Sequence, residues 1–209
     1  QAWEELRKDS GDQVSEVKGL FRLGCHTSVA LYTIPLFLKD FLKSHPSIEF
    51  SLEHDFSRKI TEGIISLRLD LGIVVNPVRH PDLVIKKICE DHVGFWKSDK
   101  LHPSLEKVLI ADENLMQTQN LLQRSKKGET RFTRFIRTSS LELVRELTLQ
   151  GCGVGVLPGR VAMMNGGKGL EVISDLPTHK DEICLVYRSE RREHRTLREV
   201  VTKVSASIK

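Results

Sequence analysis

From Leu20 onward the hydrophobic positions recur in two periods, and the switches between them mark out the elements. In LFRLGC, residues 20–25, the residues Phe21, Leu23 and Cys25 share one side of a two-residue period and predict a strand. VALYTIPLFLKDFLKSH carries Leu31, Ile34, Leu38 and Phe41 at helical spacing, with Pro35 placed to kink the helix or begin its second part. IEFSLEH sets Ile48, Phe50 and Leu52 against Glu49, Ser51 and Glu53, the alternation of a half-buried strand. SRKITEGIISLR predicts a short helix. LDLGIVV is apolar almost without interruption and predicts a strand of the buried, parallel-sheet kind. The order β-α-β-α-β belongs to an α/β domain.

The second half follows the same grammar less cleanly. DLVIKKICEDHVGFW reads as a strand that crosses from one unit to another. EKVLI reads as a short segment, and ENLMQTQ and TRFIRTSS as strands. SSLELVRELTLQ is a helix with Leu141, Val144, Leu147 and Thr148 on one face, and Ser139 stands three residues before Glu142 as a capping box would. VGVL and GLEVI are strands, EICLVYR a return strand, and REHRTLREVVTKVSASI an amphipathic last helix. The opening QAWEELRKDSGDQVSEVKG is charged and helix-prone until Ser10-Gly11, as expected of a solvated helix tail followed by a linker.

Composition narrows this picture. A chain of 209 residues makes one domain, or two half-sized units sharing a cleft. With 39% apolar residues it can bury a core, and no apolar run approaches the ~20 residues that span a bilayer, so a soluble protein without a membrane role is expected. The net charge of +4 is the surplus of 32 basic over 28 acidic residues, too even a balance to announce a nucleic-acid surface. Cys25, Cys89, Cys152 and Cys184 are widely spaced, which suggests buried free thiols and a reducing compartment. A first residue of Gln1 suggests a fragment or a processed product.

Three features could carry chemistry. The stretch TLQGCGVGVLP holds Gly151, Gly153 and Gly155, but a dinucleotide loop has the spacing G-x-G-x-x-G, follows a strand and opens a helix. Here a helix comes first and a strand follows, so the stretch reads as a hinge with Gly151 at positive φ. Cys25-His26 would suit a nucleophile and base, yet neighbours on a strand point to opposite faces, and no third group orients the pair. The eight histidines show no metal-ligand spacing, and Asp181-Glu182 and Glu113-Asn114 read as loop charges, so neither catalytic residue, cofactor nor metal is expected. More telling are HTS (26–28), DFS (55–57) and RTSS (137–140), each between a strand and a helix, at the strand ends where open α/β sheets bind ligands.

The stretches GLFRLGCHTSVALYTIPLFLKDFLKSHPSIEFSLEH, LRLDLGIV, HPDLVIKKI and SSLELVRELTLQGCGVGVLPGRVA resemble, in order and spacing, the effector-binding domain of LysR-type transcriptional regulators. The resemblance covers nearly everything from Gly19 onward. It implies an α/β fold of the type 2 periplasmic-binding-protein kind, with two Rossmann-like subdomains joined by two crossover strands around a ligand cleft. Residues 1–18 would end the linker helix, 19–90 with 186–209 would form subdomain I, and 91–185 subdomain II. The ligand contacts it implies fall on His26, Thr27, Ser28 and Ser57 in the first subdomain, and on Thr118 and Gln119 at a strand end in the second. Phe56 and Leu67 stand where the family often has glycine, and NLLQRSKKGETRFTR is shorter than the segment usual there.

The expected function is therefore ligand sensing in a cytoplasmic bacterial regulator, a homodimer or, in the full protein with the family's winged helix-turn-helix domain, a tetramer. DNA would be bound only through that domain, and the effector would be small, polar and anionic. The rivals are a periplasmic solute-binding protein of the same fold and an enzyme using Cys25 or His26. The helix of residues 29–44 is expected to turn Ile34, Leu38 and Phe41 inward, leaving Leu36, Phe37 or Leu42 for a dimer contact, and the helix of residues 140–150 leaves Leu143.

Overall fold

A computed structural model describes residues 17–125 and 132–208. The helix tail expected over 1–18 therefore lies, through Glu16, outside the described residues, as do Lys126 to Arg131 of the shortened segment. Along the chain, β1 (Gly19–Cys25) leads into α1 (Thr27–Thr33), a tight helical turn at Ile34–Leu36, and α2 (Leu38–Ser44). β2 (Ile48–His54), α3 (Ser57–Ile65) and β3 (Leu71–Val75) follow. The 16-residue β4 (Leu83–Ser98) then carries the chain from one compact unit into a second. That unit contains β5 (Val108–Ala111), α4 (Met116–Ser125), β6 (Arg134–Arg137), α5 (Leu141–Leu149), β7 (Val154–Pro158), α6 (Gly159–Ala162) and β8 (Leu170–Val172). β9 (His179–Arg188) returns to the first unit, which α7 (Arg195–Ser207) completes.

Unit 1 takes the chain through Ile88 and again from Cys184. Its strands run β2-β1-β3 in parallel, with Phe21 opposite Phe50, Cys25 opposite His54, and Leu23 opposite Leu71. Unit 2, Cys89–Ile183, repeats the arrangement as β6-β5-β7, again parallel, with β4 antiparallel on the outer side of β7. Each unit thus has its first strand in the middle, its second on one side and its third on the other. Each buries its own core: Ile60, Ile64, Val74 and Val186 in unit 1, and Leu109, Leu121, Val154 and Val156 in unit 2, where Phe95 stacks on Phe132 at 5.7 Å. Among the described residues no helix is long and apolar enough to cross a membrane.

Several expectations are corrected. ENLMQTQ is not a strand but the start of α4. Seven residues show too little of the helical period; Leu121, fully buried one turn after buried Thr118, supplies the missing point. Phe37 is buried and not free for a partner, because the turn at Ile34–Leu36 advances about 120° per residue instead of 100° and rotates Phe37 inward. Leu31, at helical spacing with Ile34, is exposed, and Leu36 and Leu42 are exposed as expected. Leu52 is exposed because β2 is an edge strand. The N-cap of α5 is Ser140, not Ser139: its Oγ accepts from the Leu143 amide at 3.1 Å and donates to Glu142. Asp181 is no loop charge but a buried residue of β9.

Candidate functional site

In an open parallel sheet the ligand sits beyond the carboxyl ends of the strands, where strand order reverses, because the helices there diverge and leave a crevice. In unit 1 that place is the end of β1, between the strands that lead to either side. His26 is the N-cap of α1, and its Nδ1 accepts from the Ser28 amide at 3.3 Å. The cap role that a hydroxyl normally takes at a helix start is thus filled by the imidazole. Thr27 is exposed. Ser28 is 1% exposed, and its Oγ finds no hydrogen-bond partner among the described residues.

The neighbouring turn is built differently. Asp55 folds back to accept from the Phe56 amide at 2.7 Å, and the Phe56 ring lies 6.0 Å from the His26 ring. Ser57 is half-buried, and its Oγ accepts from the Val75 amide at 2.9 Å, tying the start of α3 to the end of β3. The hydroxyl proton of Ser57 remains to be donated elsewhere. The structure therefore draws His26 and Phe56 together and anchors Ser57 to the third strand of the same edge.

Unit 2 places the other expected contacts on α4, not at a strand end. Thr118 is buried in the first turn, whereas Gln119 is exposed and its amide donates to the Glu113 carbonyl at 2.9 Å. The sequence pattern does not single out Asp112, which follows β5 and is 1% exposed. Its Oδ1 accepts from the Asn114 amide at 2.9 Å, while its Oδ2 finds no partner among the described residues.

The remaining candidates have structural roles. Gly151 has φ 74 and closes α5, with its amide donating to Thr148 and that of Cys152 to Leu147, the paired bonds of a left-handed helix stop. Cys25 is wholly buried, and that burial pushes its thiol up to about 12. A thiol so protonated is a poor nucleophile at neutral pH. Cys25 should resist iodoacetamide at pH 7.5 until the protein is unfolded; rapid labelling of the folded chain, read by peptide mass spectrometry, would contradict this. The same shift sets a pH dependence. The unfolded thiol titrates near 9 and the folded one near 12, so the stability that burial of the protonated thiol provides is complete below about pH 9 and falls away above it.

A family model described as the LysR substrate binding domain matches residues 15–207. The uncharacterized HTH-type transcriptional regulator YwbI of Bacillus subtilis is 24% identical over 193 residues, covering 86% of this chain; the chain spans 64% of that protein's length. Among solved structures, the CcmR regulatory domain of Synechocystis in complex with 2-PG has a TM-score of 0.73 at 20% identity, covering 92% of this chain and 98% of that one. A sulfate-bound point mutant of the OxyR2 regulatory domain from Vibrio vulnificus has a TM-score of 0.69 at 18% identity, covering 95% and 100%. These similarities share one fold, the type 2 periplasmic-binding-protein-like α/β fold with two crossover strands, here β4 and β9. By the family model, which spans nearly the whole chain, this protein belongs to the LysR substrate binding domain family.

Proposed function

We propose that the chain senses a small effector for a DNA-binding transcriptional regulator, and that recognition in unit 1 centres on His26, Thr27 and Ser28 with Ser57 from the next turn. The observation that carries this reading is Ser28. A buried hydroxyl without a partner costs a fold roughly 1–3 kcal/mol, a penalty that a ligand's hydrogen bond removes. The effector is small, polar and anionic, since the turn presents a helix start and hydroxyl donors. The names of the compared structures agree with this: CcmR is in complex with 2-PG, and the OxyR2 domain is sulfate-bound. Residues 19–90 with 186–209 serve as regulatory subdomain I and 91–185 as subdomain II, with Thr118 and Gln119 as contacts in the latter. DNA contact belongs to a domain outside residues 15–207, and the full protein works in the cytoplasm, without catalysis.

Affinity follows from the donors. Charge-assisted hydrogen bonds give roughly 1.5–3 kcal/mol each and a helix dipole roughly 0.3–1. Three such bonds with one helix start supply much of the about 8 kcal/mol of a micromolar dissociation constant, and the loss of ligand freedom keeps affinity micromolar rather than nanomolar. A thermal-shift screen of small carboxylates, phosphates and sulfates tests the class. Hits among these acids support it, and large apolar compounds as the best hits would contradict it.

The working state is a homodimer. Leu31, Leu36 and Leu42 are 46%, 55% and 41% exposed along the α1–α2 segment, and Leu143 is 46% exposed on α5, apolar area that a symmetric partner covers twice over. Sedimentation should show a dimer at high micromolar concentration; a clean monomer would contradict it.

A further inference from the structure

The start of α3 departs from local preference. Its N-cap is Phe56, which makes no side-chain cap bond, although a helix start favours Ser, Thr, Asp or Asn, whose oxygens receive the first free amides. Burial does not account for the choice, since Phe56 is 42% exposed. Departures of this kind gather at functional sites. The residue is also firmly placed. Its amide donates to Asp55 at 2.7 Å, its carbonyl accepts from the Ile60 amide at 3.0 Å, and the Asp55 amide donates to the Cys25 carbonyl at 3.4 Å. β1 and β2 are parallel and paired as far as Cys25 and His54, so the turns that follow them lie side by side within unit 1. There the Phe56 ring stands 6.0 Å from the His26 ring, the planes inclined at 40°, and His26 caps the helix start that carries Ser28.

We propose that Phe56 is a specificity-determining residue of the Ser28 turn: with His26 it receives a flat, unsaturated group carried next to the effector's acid, so that the effector is an aryl or conjugated acid and not a saturated one. The inference rests on the reading of this turn as an effector site and adds a second chemical requirement to it. An aromatic face gains from another π system, offset or edge-on, beyond what apolar burial alone supplies. A saturated group of the same size buries as much area and lacks that gain. A merely apolar wall would take both alike or favour the saturated one.

The test uses acids matched in size that differ in unsaturation: benzoate with cyclohexanecarboxylate, cinnamate with 3-cyclohexylpropionate, and sorbate with hexanoate. Calorimetry on the whole chain should show the unsaturated member of a pair binding about three-fold to ten-fold more tightly than its saturated twin. Phe56→Leu keeps an apolar side chain but removes the π face, so it should erase that preference. Phe56→Ser, which supplies the oxygen a helix start favours, should erase it too; circular dichroism of both unliganded variants checks that they fold. Ser28→Ala should weaken both members of a pair together and leave the preference standing. If the parent binds these acids without preference, or Phe56→Leu and Phe56→Ser retain it, the inference is wrong while the Ser28 reading survives. If no acid binds the parent at all, both fall together.

Discussion

Replacing Gly151 by valine should lower the unfolding midpoint by roughly 10 °C. Two separate effects add at this position. Its φ of 74 lies in the left-handed region, which costs a side-chain-bearing residue roughly 1–2 kcal/mol, more for a β-branched one. A Cβ there would also collide with the Lys100 carbonyl oxygen and lie 2.7 Å from its carbonyl carbon. That obstacle is backbone and cannot rotate away, so overpacking adds roughly 1–3 kcal/mol. At roughly 2–4 °C per kcal/mol for a protein of this size, the sum gives the expected shift. Gly19 isolates the first effect, because its φ is 89 and nothing lies within 4 Å of the added Cβ. Gly19→Ala should cost only about 1–2 kcal/mol. Equal midpoints for Gly151→Val and the parent in a calorimetric scan would contradict the geometry of this turn.

Asp70→Ala should destabilise the chain by about 3 kcal/mol. Asp70 is 5% exposed and closes the approach to β3. Its Oδ2 accepts from the Arg22 amide at 2.7 Å, its own amide donates to the Arg22 carbonyl at 2.8 Å, and its Oδ1 pairs with the Arg191 guanidinium. One side chain therefore fixes β1, the start of β3 and the segment before α7. Breaking a buried pair costs roughly 3–5 kcal/mol, but Arg191 is 29% exposed and can rehydrate, which places the loss at the lower end. Asp70→Asn keeps an acceptor for Arg22 and should cost about half as much. Urea denaturation checks the order Ala worse than Asn worse than parent; an Ala variant as stable as the parent would contradict it.

The sequence shows most plainly what period and spacing encode. β1, α3 and β3 are legible because Phe21-Leu23-Cys25, Ile60-Ile64 and the run Leu71–Val75 each display one period cleanly. Phe37 is not, because a short turn of tighter helix shifts the phase by an amount that no fixed period reveals. The start of α4 is hidden because its inward face, Thr118 and Leu121, continues past ENLMQTQ. Candidate positions are legible where hydroxyls stand between a strand and a helix, which is how Ser28 and Ser57 stand out. What these groups touch is a tertiary property. Ser57 is engaged by Val75 and Ser28 is not, although both look alike in sequence. Asp181 looks like a surface charge, since nothing in a local pattern says which carboxylate the fold will cover.

The central claim, that the Ser28 turn holds an anionic effector, is tested most directly by measuring stability and affinity together in Ser28→Ala. A residue kept for the fold loses stability when truncated. A buried, unpartnered hydroxyl kept for a ligand does the reverse, because its removal takes away a desolvated polar group. With the best acid from the thermal-shift screen, calorimetry should show affinity falling several-fold to about ten-fold, the loss of roughly one hydrogen bond, while the unliganded midpoint stays level or rises. Unchanged affinity in Ser28→Ala would contradict the account.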